Sequence, residues 1–148
     1  MSPLDQPSTQ PLVVARRYLS LLAAGGPREA IAELLDPDVV QTEYPNAMNP
    51  QIRVRDRAQM LTGLDDGAEL LEQQIWAPPN LTVAGDGQTV LAEFDWVGIT
   101  AVELGALPKG TRLSARICVI LTVRDGRIVA QRNYDCYWPP APPGEAKP

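Results

Sequence analysis

Residues Thr111 to Trp138, TRLSARICVILTVRDGRIVAQRNYDCYW, form two long runs in which apolar and polar side chains alternate, joined at Arg124-Asp125-Gly126-Arg127. A period of two is that of a strand, and Asp-Gly accepts the backbone angles of a tight turn, so an antiparallel hairpin is predicted. Two registers are open. A two-residue turn at Asp125-Gly126 sets Val119 opposite Arg132, whereas a three-residue turn with Gly126 in a bulge sets Val119 opposite Gln131. One residue of slip exchanges the faces. In the second register Ala115, Ile117, Val119 and Leu121 share a face with Val129, Gln131, Asn133, Asp135 and Tyr137. That face is apolar at one end and polar at the other, as a small-molecule pocket requires, and this register is the favoured one. In the first, Asn133 and Asp135 are merely wetted on the outside.

The rest of the chain must cover this hairpin. Residues 1–10 read as a polar, flexible arm. PLVVARRYLSLLAA, Pro11 to Ala24, places Val14, Tyr18, Leu21 and Leu22 on one helical stripe and ends at Gly25-Gly26. A short helix follows from Pro27 through Ala30, Ile31, Leu34 and Leu35, stopped by Asp36-Pro37. Asp38 to Glu43 is a predicted strand, followed by an irregular loop from Tyr44 to Pro50. Arg55 to Leu64 and Asp65 to Gln74 read as two helical patches separated near Gly63. Strand signal then dominates: Leu81 to Ala84, a turn at Gly85-Asp86-Gly87, and a long run from Gln88 to Glu103. In that run Val90, Ala92, Phe94 and Trp96 alternate with Leu91, Glu93, Asp95 and Val97, so Glu93 and Asp95 point away from the apolar face. The tail 139–148 is Pro-rich and expected to be disordered or extended.

Helices followed by a long meander give an α+β domain spanning 11–138, with the helices on one face of a sheet long enough to curl and leave space beneath. A chain of 148 residues with 45% apolar content has room for one core. Thirteen basic against eighteen acidic residues leave a net charge of -5 with no basic stripe, so no nucleic-acid partner is expected. Histidine is absent, which removes the commonest general base and the commonest metal ligand, so no metal or cofactor is expected and proton chemistry falls to carboxylates, Tyr, Cys or Lys. Cys118 and Cys136 fall on partner strands three or four residues out of alignment under either register, and read as reduced thiols. With no leader pattern and no apolar stretch of bilayer length, a cytoplasmic protein without membrane contact is expected.

The strings ARRYLSLLAAGGPREAIAELLDPDVV, AEFDWVG and VRDGRIVAQRNYDCY, in this order, resemble the nuclear-transport-factor-2-like superfamily, over roughly residues 12 to 138. That superfamily includes ketosteroid isomerases, limonene epoxide hydrolases and SnoaL-like polyketide cyclases. The resemblance implies a cone: helices on a strongly curved antiparallel or mixed sheet with an interior pocket. Laid on a ketosteroid isomerase, Tyr18 falls at the oxyanion-hole tyrosine and Glu43 at the proton-moving aspartate, while the second donor falls at Val119 or Cys118 and is lost. The epoxide hydrolase relay falls at Phe94, Trp96 and Asn133 and is missing. The late-strand Asp of SnoaL-like cyclases has Asp135 as its nearest counterpart, and their His has none.

The expectation is a cofactor-free acid-base enzyme of SnoaL-like or isomerase type, acting through enolisation on an apolar cyclic or polyketide-like carbonyl compound. Its catalytic candidates are Glu43, Asp135 and Tyr18. Its ligand-binding candidates are Asn133, Gln131, Asn46, Phe94, Trp96, Val119 and Tyr137. Each has a structural alternative: Glu43 as an exposed strand end, Asp135 as a partner of Arg116 or Arg132, Tyr18, Phe94 and Trp96 as core, and the amides as ordinary strand or loop residues. The competing function is a non-catalytic small-molecule binding module with the same pocket; a third is a protein-interaction scaffold. The outer sheet face, with Cys118, Ile120, Arg132 and Tyr134, is a candidate homodimer surface, as the resemblance also implies.

Overall fold

A computed structural model describes residues 10–144. The arm predicted for residues 1–10 lies outside them except for Gln10, the residue that precedes the first helix. Helix α1 (Pro11–Ala24) ends as its sequence requires: Gly25 takes a left-handed φ of 63°, its N–H reaches Leu22 O, and the Gly26 N–H reaches Leu21 O. Helix α2 is short (Arg28–Leu34), and Leu35 already opens strand β1 (Leu35–Glu43), which therefore starts before the expected Asp38. Strand β2 (Arg53–Arg55) returns antiparallel to the end of β1.

Helix α3 (Arg57–Leu70) is one helix where two patches were expected. It runs straight through Gly63 because its start is firmly fixed: the Asp56 side chain accepts from Gln59 N while Gln59 Oε1 accepts from Asp56 N. Buried Met60, with Leu61 and Leu64 half-buried on the core, offsets the low helix propensity of glycine. The residues after Leu70 are not helical. They form β3 (Leu71–Trp76), followed by β4 (Asn80–Val83), β5 (Thr89–Thr100), β6 (Arg112–Arg124) and β7 (Arg127–Tyr137).

These seven strands make one open mixed sheet in the order β2-β1-β7-β6-β5-β3, with β4 also paired to β5. Among the described residues, β1 and β7 are the one pair of strands that runs parallel. The helices lie on the inner face, α1 against β4 to β7 and α3 against β1 and β3, giving the α+β cone. The core sits between them: Val14, Tyr18 and Leu19 of α1 meet Val90, Ala92 and Phe94 of β5 and the alternate residues Leu113 to Val123 of β6. Among the described residues no helix is long and apolar enough to cross a membrane.

The hairpin follows neither expected register throughout. At the turn it is a two-residue hairpin, with Asp125 at φ 50° and Gly126 at φ 77° and Arg124 paired to Arg127. One pair later the register slips, because β7 goes from Ile128, opposite Val123, to Ala130, opposite Thr122, leaving Val129 as an extra residue. Val119 therefore faces Asn133, not Gln131 or Arg132. The bulge restores the faces of the favoured register, so Gln131, Asn133, Asp135 and Tyr137 lie on the inner face by a different route. It also sets Cys118 opposite Tyr134 and Cys136 opposite Arg116, so the two thiols are offset by two residues, closer than expected, and both are free. After β7 the chain stays extended: Trp138 N donates to Ser114 O, and Ala141 and Arg112 exchange backbone hydrogen bonds of 3.0 and 2.9 Å. Residues 145–148 of the expected disordered tail lie outside the described residues.

Candidate functional site

The parallel pairing of β1 with β7 builds the site. It sets Gln41 beside Gln131 and Glu43 beside Asn133, all on the inner face. A chamber of about 200 Å3 lies over these residues, closed by Tyr18 and Leu22 from α1, Met60 and Leu64 from α3, and Trp76. It connects at Glu43, Arg55 and Gly63 to a wide mouth of about 970 Å3 between α3 and the loops after β1 and β5. The chamber alone is below the size of a typical ligand pocket, so a ligand's bulk belongs in the mouth.

A directed chain of hydrogen bonds crosses the chamber wall. Tyr18 Oη donates to Gln131 Oε1 at 2.6 Å. Gln131 Nε2 donates to Asn133 Oδ1 at 2.9 Å, and Gln41 Nε2 to the same oxygen at 3.1 Å. Arg55 Nη1 donates to Gln41 Oε1 at 3.4 Å and stands 4.0 Å from Glu43 Oε2. Asn49 Nδ2 donates to that same Glu43 oxygen at 3.1 Å. Two groups are left over. Asn133 has its oxygen doubly occupied, while no group among the described residues accepts from its Nδ2. Both contacts that the described residues make to Glu43 fall on Oε2, and none of them engages Oε1 at the neck between chamber and mouth.

Asp135 is two residues beyond Asn133 on the same face, opposite buried Ile117. Its Oδ1 is sealed from water with no hydrogen-bond partner among the described residues. Burial, and then the Glu43 charge, push its acid up to about 6. Neither expected arginine neutralises it: Arg116 pairs with Asp95 at 3.0 Å on the outer face, and Arg132 alternates to that face. Burial also pushes the hydroxyls of Tyr18 and Tyr137 upward, Tyr18 despite its bond to Gln131 and Tyr137 with the help of Asp135 and Glu43. Arg55 is lowered by burial, against the attraction of Glu43.

The expected residues thus divide. Glu43, Gln131, Asn133 and Tyr18 line the chamber, and Asn46 and Tyr137 line the mouth with Glu43. Tyr18 has its one proton committed to Gln131. Phe94, Trp96 and Val119 are buried core and, like Asp135, line neither space. Phe94 instead backs the chamber by stacking on Trp76 at 5.3 Å, and Trp96 meets the Tyr137 ring edge-on at 6.3 Å. Sequence reasoning missed Gln41, Asn49, Arg55 and Trp76. Gln41 was readable, two residues before Glu43 in an alternating strand. Arg55 was not, because β2 is three residues long and exists only by pairing with β1. Among the described residues no group of three or more Cys, Asp or Glu side chains is placed to hold a metal ion.

A model of the SnoaL-like domain family matches residues 15–131, from inside α1 through Gln131. The chain belongs to the SnoaL-like domain family. Solved structures agree on the fold of this SnoaL-like protein. IdmH from Streptomyces antibioticus, a candidate polyketide cyclase, superposes with a TM-score of 0.71 at 22% identity, covering 85% of this chain and 91% of its own. A candidate polyketide cyclase from Xanthomonas campestris pv. campestris gives 0.70 at 20% identity, covering 87% and 92%. A protein of the nuclear-transport-factor-2-like kind from Burkholderia xenovorans LB400 gives 0.67 at 13% identity, covering 88% and 92%. No curated protein sequence matches the SnoaL-like chain.

Proposed function

We propose that the protein is a cofactor-free acid-base catalyst that enolises a largely apolar carbonyl compound, cyclic or polyketide-like. The observation that carries this reading is the pair of unspent groups flanking one neck: Glu43 Oε1 as proton acceptor and Asn133 Nδ2 as hydrogen-bond donor. They belong to residues side by side on β1 and β7. With the substrate carbonyl accepting from Asn133, Glu43 removes the proton on the adjacent carbon, and the amide stabilises the enolate oxygen as charge develops. Asp135, raised to about 6 by burial and by the Glu43 charge, exchanges the proton with Glu43, and Glu43 returns it to the product. Tyr18 is a positioning residue in this scheme. Its bond to Gln131 fixes the amide chain in the one orientation that leaves Asn133 Nδ2 free. The likeness to IdmH and to the Xanthomonas protein, both candidate polyketide cyclases, supports the substrate class.

Deuterium incorporation next to the carbonyl of cyclic ketones and β-keto esters, followed by NMR in D2O, tests the reading. The protein accelerates incorporation, and Glu43→Gln slows it about a hundredfold or more while ligand-induced shifts persist. Incorporation at an unchanged rate in Glu43→Gln removes the catalytic assignment. Binding without any incorporation by the unsubstituted protein makes it a binding module.

The reading includes a homodimer through the outer sheet face, where Val40, Leu91 and Tyr134 lie open to water. Sedimentation at micromolar concentration tests it, and a monomer there removes it.

A further inference from the structure

A cleft of about 310 Å3 adjoins the mouth at Tyr137, which lines both. Its walls are Met48, Leu104, Leu107, Trp138 and Pro140, and no charged side chain is among its lining residues. Met48, Leu104 and Tyr137 also line the mouth, so cleft and mouth are continuous. The cleft is built and not incidental. Leu104 and Leu107 exchange two backbone hydrogen bonds of 2.9 Å, which holds their loop as a miniature hairpin. Trp138 is tied by its N–H to Ser114 O, and the Ala141 bridge to Arg112 keeps the following segment against the sheet. Tyr137, met edge-on by Trp96, lines both the polar mouth and the apolar cleft.

Two features say what occupies it. The chamber, at about 200 Å3, has no room for a ligand of ring-plus-chain size, and the excess must lie along the mouth. Along that path the mouth carries the charged side chains of Glu43, Arg53, Arg55 and Asp66, whereas the cleft carries none and leaves Trp138 57% exposed. We infer that this cleft is a second subsite of the same ligand, taking an alkyl or aryl arm of roughly four to eight carbons attached to the carbonyl-bearing head. The inference rests on the reading of neck and mouth as a carbonyl site. It adds that the substrate is a two-part molecule, its polar head at Asn133 and its apolar arm turned past Tyr137 onto Leu107 and Trp138. Leu107 and Trp138 line the cleft but not the mouth, so they set specificity for the arm without touching the head.

The test uses 2-alkylcyclohexanones from methyl to octyl, titrated into the full chain by calorimetry. Each methylene buried in the cleft tightens binding about threefold to fourfold until the cleft is full, following from about 0.8 kcal/mol per methylene. Trp138→Ala and Leu107→Asn flatten that dependence and leave the affinity for the methyl compound unchanged. Trp138, being largely exposed, is the substitution that leaves folding intact. The proposal is overturned if affinity is independent of chain length, or if both variants keep the slope of the unsubstituted protein. Straight-chain alcohols of the same lengths separate the two readings: if they bind with the same slope and lose it in Trp138→Ala, the apolar subsite stands even where the carbonyl site fails. Absence of binding by every member of both series overturns the subsite.

Discussion

Tyr18 and Gln131, 113 residues apart in the chain, meet at 2.6 Å and tie α1 to β7 inside the chamber. Gln131 faces inward only because Val129 is an extra residue in β7. Were Val129 instead paired in a regular ladder, the two-residue turn at Asp125-Gly126 would send Gln131, Asn133, Asp135 and Tyr137 to the outer face. One backbone irregularity thus decides which side of the sheet carries the polar groups.

Tyr18→Phe should destabilise the protein by about 1–3 kcal/mol, since Gln131 Oε1 is buried and loses its donor. Urea denaturation checks this. Because the lost proton pointed at Gln131, Tyr18→Phe should slow deuterium incorporation less than Asn133→Ala does. A larger effect for Tyr18→Phe would make the hydroxyl the donor to substrate.

Much of this fold was legible because its signals are local. The glycine pair after α1, the inward row from Val90 to Trp96, and the Asp-Gly turn each carry their own backbone or burial signature. The bulge was not legible, since in Ile128-Val129-Ala130 no polar residue marks which member is unpaired. Gly63 looked like a helix end, but a capping box at Asp56 and the packing of Met60 carry α3 through it. In the site, Asn133 was found by alternation within its own strand, and Glu43 by the resemblance to ketosteroid isomerases at the end of a predicted strand. Arg55 and Asn49 reach Glu43 from β2 and a loop whose positions are set by tertiary pairing, which no local pattern encodes.

Gly98→Ala should cost about 1–3 kcal/mol. A Cβ there falls 2.5 Å from Trp96 Cη2 and 3.1 Å from Leu71 Cδ2, and Trp96 is packed against Tyr137 and donates to Gln74. Trp96→Phe removes the ring atoms in the way. The double variant Trp96→Phe/Gly98→Ala should therefore be more stable than the sum of the two single changes predicts, by about 1 kcal/mol. Simple additivity in urea would mean that the strand, not the indole, absorbs the methyl group.

Asp135 gives stability a pH dependence opposite in sign to that of a salt-bridged carboxylate. Its acid rises from the ordinary 3.8 to about 6 on folding. Between those values the folded state holds more protons than the unfolded chain, so stability falls as pH rises through the window and levels off above it. Asp135→Asn cannot ionise and lacks this fall. Relative to the unsubstituted protein, the variant should gain roughly 3 kcal/mol between pH 3 and pH 8. Urea midpoints at the two pH values measure the difference, and a constant offset would mean that Asp135 is solvated.

Glu43→Gln should move the titration of Asp135 downward even where no turnover is measured. Burial is the larger cause of the raised Asp135 acid and is untouched by the substitution, but the Glu43 charge is the second cause and disappears. Carboxyl 13C shifts of Asp135 should titrate near 6 in the unsubstituted protein and at lower pH in Glu43→Gln, without returning to 3.8, because the desolvation persists. An unchanged midpoint would mean that the two carboxylates do not sense one another across the neck, and the proton exchange assigned to them would have no physical basis.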